Sequence, residues 1–513
     1  MMFDASVKSP VGVEYGVEYQ FGNFDQCIEI STDPEIDKVD IQSKYCLVDV
    51  TLDGYKVRKT AERHKKKLGK ESKDELGLSC VNGIKACSML TIISGHALVF
   101  MVGGPVQNTE FYQRESQLVQ NAFLQNSPLL VDSFLLLSGF LFARLVLIEL
   151  DKRRGKINFG ILYIFRYIRL TPAYLAMIGL YSTWFIRLGS GPLWNSRISV
   201  EQERCQESWW KNLLYVNNYY GNDALCMFQS WYLAADTQLF VLAPLLIYPL
   251  WKSKAFGLYL MSIAAAMSVM IPFYVTYTQK LDPTFIVWPS EVSDLSANEY
   301  FIFTYGKTHM RATAYIIGVL AGFVAFYVHK KKFTIQPRMR SFLNVSTSIV
   351  GAVSMFSVTI YYIPSYEYSH LESAMYNCLH RLGWSLFAGW MVLACVTSEN
   401  GAIKNFLSSR ALVPISRLTY CGYLTNGFIE LYMAATIRSP KYMSITNLLG
   451  ETLSHVCLTF LAAVILCLMF ESPIHGMEKM LLRRYAPPRK NQIESDGFDV
   501  NSSQTPSTSL SSA

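Results

Sequence analysis

Apolar stretches of about twenty residues recur along the chain, near 80–102, 128–150, 161–188, 231–251, 255–278, 311–328, 342–363, 375–397, 411–434 and 447–470. At ~1.5 Å of rise per residue, each is the length a helix needs to cross a bilayer. The pattern predicts an all-α fold, a polytopic membrane helical bundle with about ten transmembrane helices. Pro172 in the third stretch and Pro244 in the fourth are expected to be carried without splitting either helix, because neighbouring helices can satisfy the freed carbonyl groups. Gly318 and Gly322 make a small-xxx-small step in the sixth stretch, which reads as a packing surface.

Charge orients this pattern. Basic clusters fill 56–70, 152–156, 252–254, 330–340, 404–410 and 479–489, so the positive-inside rule places these segments and both termini in the cytosol. Five loops then face outward, at 103–127, 189–230, 279–310, 364–374 and 435–446, and none carries an Asn-x-Ser/Thr acceptor. The first twenty residues have neither a basic n-region nor an apolar core, so no cleavable signal peptide is expected. The tail from about 487, rich in Ser, Asn and Gln, is expected to be disordered.

Composition supports the membrane reading, with 513 residues, 51% hydrophobic and 14% aromatic. The net charge of +7 is spread in bursts between apolar spans, which reports topology and excludes nucleic acid as a partner. The membrane, plasma or internal, is the expected location, with membrane lipids as partners. Of the eleven cysteines, Cys205 and Cys226 share the longest outward loop, where an exoplasmic compartment permits a disulfide. Cys27 and Cys46 also look like a pair, but no apolar span separates them from the lysine-rich cytosolic segment, and they are expected to stay reduced.

Chemistry points first to Lys85 and His96, eleven residues apart in the first span. That spacing is about three helical turns and ~16 Å, so both share one face. Ionisable groups at such depth are costly and usually functional; the alternative is a histidine that only packs between helices. In the third span Arg166 and Arg169 stand at i and i+3 near the cytosolic boundary. With Lys85 they form a cationic mouth suited to a phosphorylated donor, or else anchor the helix to lipid headgroups. Asp132, Asp236 and Gln238 fall at depths similar to His96, where either carboxylate could orient the imidazole as a general base or be a hydrogen-bonded group of the bundle.

Several motifs in order then resemble the acyltransferase-3 superfamily, in its animal nose-resistant-to-fluoxetine branch, over roughly residues 80 to 480. The Lys85 to His96 spacing resembles its basic-residue-to-histidine motif, and Arg166 with Arg169 its R-x-x-R motif. VDSFLLLSGFLFARL, with Asp132, Ser138, Gly139 and Phe140, resembles the second-helix motif. SWYLAADTQLFVLAPLL resembles the tryptophan-to-glutamine motif at Trp231, Asp236 and Gln238, and the animal pattern continues at Arg311, Tyr315, Gly318, Ser416, Tyr420 and Tyr423.

The resemblance implies ten core membrane helices and transfer of an acyl group from a cytosolic donor, often acyl-coenzyme A, to an acceptor at the exoplasmic side. His96 would be the base and Asp132 or Asp236 its orienting partner. Lys85, Arg166 and Arg169 would hold the donor, and Gln238, Trp231, Arg311, Tyr420 and Asn426 would line the cavity. The acceptor would be a hydroxyl of a lipid, sterol or glycan, and no metal or bound cofactor is expected. Asn426 stands where the family motif usually has histidine, and asparagine cannot exchange a proton near neutral pH. FGNFDQCIEI and KYCLVDV resemble the end of the family's cysteine-rich exoplasmic domain. The chain is therefore read as a remnant of that domain (1–52), a basic cytosolic linker (53–79), the membrane domain (80–480) and a cytosolic tail (481–513). The rival reading is a noncatalytic lipid or small-molecule transporter on the same fold; a receptor or scaffold is disfavoured by the intramembrane charge.

Overall fold

The computed structural model describes residues 40–44, 47–51, 78–220, 225–292, 298–331, 335–397 and 401–477. Cys27, Cys46, most of the basic linker and the polar tail lie outside them. Ahead of the membrane domain, β1 (Asp40–Lys44) pairs antiparallel with β2 (Leu47–Thr51), Asp40 opposite Thr51. Every other described element is helix, turn or loop.

The principal helices are α1 (Ser79–Val102), α2 (Val131–Lys152), α3 (Phe159–Gly179), α4 (Val200–Leu213), α5 (Trp231–Leu242), α6 (Pro244–Lys252), α7 (Lys254–Gln279), α8 (Thr308–Lys331), α9 (Pro337–Phe356), α10 (His370–Thr397), α11 (Leu412–Ala435) and α12 (Ile445–Leu466). Among the described residues, nine helical spans are long and apolar enough to cross a membrane. The remaining expected stretch, the ninth, is α11, 24 residues long and packed between α1 and α12. Arg417, Asn426 and Glu430 lower its hydropathy, and the latter two are buried. The α5–α6 junction stays helical as expected: Ala243 N–H donates to Leu239 O at 2.9 Å and Ile247 N–H to Ala243 O at 3.0 Å, across Pro244.

Burial separates the centre from the periphery. In α2, 67% of the most apolar window is buried, against 17% in α7. The most extensive helix pair is α2 with α8, and glycine is what lets them meet. A Cβ at Gly318 would strike the Leu136 carbonyl, and one at Gly322 would come 2.6 Å from the Phe140 oxygen. Backbone cannot yield as a side chain would, so Gly318→Leu is expected to destabilise the domain by about 1–3 kcal/mol or more through overpacking. A lowered thermal midpoint of the purified protein in detergent would show it.

The segment 189–230, expected to face outward, is not a simple surface loop. After α4 it turns at Tyr215, whose hydroxyl shares a 3.1 Å hydrogen bond with Thr171 in the second half of α3. Asn217 Nδ2 donates to Ser230 Oγ at 2.7 Å, and Asn218 Nδ2 to Gly306 O at 3.1 Å. Non-helical backbone at such depth survives only where protein satisfies its polar groups. Cys205 in α4 and Cys226 just before α5 are joined by a disulfide, Cα–Cα 4.4 Å.

Candidate active site

Where α1, α2, α3, α5 and α11 converge they enclose a cavity of about 930 Å³. Lys85, His96, Arg166, Arg169, Trp231, Asp236, Tyr420 and Asn426 all line it. Most of the remaining wall is apolar, with Phe134, Phe142, Phe228 and Phe285 among its residues. Such a lining suits an apolar ligand, with a few polar groups to fix its orientation.

His96 faces this chamber from α1. The helix passes so close to Ser127 that a Cβ at the preceding Gly95 would overlap that side chain. Phe228 presents an edge contact to the imidazole, ring centroids 5.8 Å apart. His96 Nδ1 lies 2.5 Å from Asn426 Oδ1 on α11, and Asn426 Nδ2 donates to Glu430 Oε1 at 3.0 Å. The other Glu430 oxygen meets His455 Nδ1 on α12. The imidazole's partner is therefore an amide, and neither aspartate takes the orienting position expected from the sequence.

The aspartates are engaged elsewhere. Asp236 pairs with Arg166 across α5 and α3, and the Arg166 guanidinium lies over the Phe240 ring at 4.2 Å. Buried Arg166 Nε and Asp236 Oδ1 have no hydrogen-bond partner among the described residues, so the pair keeps capacity for a ligand in the chamber. Asp132 Oδ1 accepts from Arg311 Nη1 at 2.7 Å, with both side chains at most 2% exposed. Arg311 Nε also donates to Tyr305 O at 3.0 Å, and its plane lies over the Tyr305 and Trp231 rings. This pair braces α2 against α8 outside the cavity wall.

Arg311 was expected to line the cavity and does not. Gln238 also points away, its Nε2 donating to Tyr215 O at 2.7 Å and its Oε1 accepting from Thr308 Oγ1 at 2.5 Å. It holds the re-entrant segment. Tyr420 lines the chamber and donates to Leu170 O at 2.5 Å. Arg169 is exposed and Lys85 half-buried.

Comparison with known proteins decides the family. Residues 78–471 match the family described as "Acyltransferase domain", and residues 1–83 match "Nose resistant-to-fluoxetine protein, N-terminal domain". This chain belongs to the acyltransferase-3 family. Within it, the nose-resistant-to-fluoxetine branch is the one supported, and the chain is similar to "Nose resistant to fluoxetine protein 6" of Caenorhabditis elegans, 26% identical over 437 residues. That alignment covers 80% of this chain and 52% of the relative, so the chain spans about half the relative's length. "Regulator of hypoxia-inducible factor 1" of the same organism is 23% identical over 373 residues, 69% of this chain and 70% of that protein. No solved structure matches the chain.

For an acyltransferase-3 protein, the sequence reading left out several groups at the site. Glu430 lies one turn beyond Asn426, a spacing visible in the sequence, and His455 is a lone histidine in an apolar run whose partner only the fold reveals. Glu149, Arg153 and Glu471 also line the cavity. Cys421, Cys467 and Glu471 bring one potential ligand atom each within 4.8 Å of one another. There the Cys421 thiol donates to Glu471 Oε2 at 2.9 Å, an arrangement of a protonated thiol rather than a thiolate ligand.

Proposed function

We propose that this chain transfers an acyl group from a cytosolic donor such as acyl-CoA to a hydroxyl of a lipid, sterol or glycan at the exoplasmic side. The observation that carries the reading is one largely apolar chamber whose lining cations include Lys85, Arg166 and Arg169, and which holds an imidazole whose Nδ1 is already engaged. The cations suit donor phosphates. The apolar wall suits the acyl chain, and the remaining ring nitrogen suits a proton-accepting role.

In this mechanism the acceptor hydroxyl gives its proton to His96 Nε2 as its oxygen attacks the thioester carbonyl. The carbon–sulfur bond then breaks, and the departing thiolate takes the proton from the imidazolium to leave as coenzyme A. Both termini in the cytosol, as the basic clusters imply, put the donor mouth on the cytosolic side.

The test is purified protein in lipid nanodiscs with radiolabelled acyl-CoA and a mixed acceptor extract. Wild type is expected to label an acceptor, and His96→Ala to lose the activity by about 10²–10⁴-fold, the usual contribution of a positioned general base. Folded wild type with no labelled product would favour the noncatalytic transporter, and equal label from His96→Ala would overturn the role of His96 as the base. Asn426 in place of the family's histidine is the observation that keeps this second reading in view.

A further inference from the structure

The hydrogen bonds behind His96 continue past Asn426 to His455, and ion pairs carry the chain of polar contacts on to the loop at 435–446. Asn426 is 2% exposed, Glu430 0% and His455 4%, so no solvent fixes their orientations. Beyond them His455 Nε2 lies 3.5 Å from Glu451 Oε2, and Glu451 Oε1 pairs with Lys441 Nζ at 2.6 Å. Lys441 belongs to the loop that follows α11, and its backbone bonds to the loop that follows α1. Its N–H donates to Pro105 O, and its carbonyl accepts from Gln107 N–H, both at 2.9 Å. The helices carrying His96 and Asn426 are thus tied at their outer ends beside the last member of the chain.

An amide can face either way, and its direction decides which histidine nitrogen carries the proton. The Glu430 carboxylate sits behind the amide as an acceptor. It takes Nδ2–H of Asn426 on one oxygen and Nδ1–H of His455 on the other, so the amide is obliged to present Oδ1 to His96. His96 Nδ1 must then be the donor, leaving Nε2 with its lone pair. A free neutral imidazole in water favours the opposite tautomer, so this form has to be imposed.

We propose that Glu430, backed by His455, is the positioning residue that fixes the Asn426 amide and thereby holds His96 as the Nδ1–H tautomer, with Nε2 free to accept a proton. The Asn426 side chain is permanently neutral. The carboxylate behind it supplies the direction that the amide alone lacks. The inference deepens the acyl-transfer reading, but it concerns ring protonation and is tested without any turnover.

The experiment is nitrogen NMR of the full chain in nanodiscs, with ring-labelled histidine, at mildly alkaline pH. The His96 signals are identified by their loss in His96→Gln. Wild type is expected to show a single form, protonated at Nδ1 and bare at Nε2. In Glu430→Gln the neighbouring amide can donate as well as accept, so Asn426 is free to turn and both tautomers should appear. Adding Asn426→Asp to that variant restores an acceptor-only partner and should return the single form. Asn426→Leu, which removes the partner, should release the ring to its ordinary preference even if Glu430→Gln does not fold. An Nε2–H form in wild type would overturn the proposal. So would an unchanged single form in folded Glu430→Gln or Asn426→Leu. Loss of acyl transfer with the expected tautomers would instead count against the catalytic reading alone.

Discussion

Arg311→Ala is expected to cost the membrane domain about 3–5 kcal/mol, the range for removing one partner of a buried ion pair. Asp132 is 2% exposed and pairs with Arg311 at 2.7 Å, so the substitution strands a buried carboxylate without its hydrogen-bonded cation, leaving only the longer-range field of Arg381. The Tyr305 carbonyl loses its Arg311 Nε donor as well. Size-exclusion recovery and the thermal midpoint in detergent should both fall sharply. The double variant Asp132→Leu with Arg311→Met removes both charges together and is expected to regain most of the loss, because a well-packed apolar pair can replace a buried ion pair. That variant also separates two roles for Asp132. If it folds and still transfers acyl groups, Asp132 is a brace; if it folds and is inactive, the carboxylate takes part in the chemistry.

That contrast marks where the sequence stops being legible. The spans are readable because each must be apolar over its own length, and even the polar α11 was placed by the stretch 411–434. The cationic mouth and His96 are readable because a helix's periodicity fixes which of its side chains share a face. What the sequence does not carry is who answers whom. Asp132 lies 179 residues from Arg311, and Asp236 lies 70 from Arg166. Similar depth along two helices says nothing about azimuth, so both aspartates looked equally available to His96. Its true neighbour, Asn426, is visible only as a departure from a motif, and Glu430 behind it carries no sequence signal beyond lying four residues on. Gln238 was misread for the same reason: its partners Tyr215 and Asn218 sit in a segment whose polarity marked it as an outside loop, and only packing shows that it re-enters.

Arg169→Ala is expected to raise the acyl-CoA concentration needed for half-maximal transfer by about 10- to 100-fold while changing kcat little. Hydrogen bonds to charged groups are worth about 1.5–3 kcal/mol, and each 1.4 kcal/mol is tenfold in affinity. Arg169 is the cleanest of the three cations to remove. It is exposed, and no ion pair joins it to a carboxylate among the described residues, whereas removing Arg166 would also leave Asp236 without its partner. A donor held by its phosphates at a site far from the reacting carbonyl gains from these contacts in ground and transition state alike, which is why KM should move and kcat should not. Added salt should mimic the substitution, since contacts at a solvated mouth are screened over about 8–10 Å at physiological ionic strength, and the variant should respond less to salt than wild type. Transfer from acyl-pantetheine, which lacks the nucleotide phosphates, should be insensitive to Arg169→Ala. If KM for acyl-CoA is unchanged in the variant, the cations are headgroup anchors and the acyl donor arrives through the bilayer as a lipid.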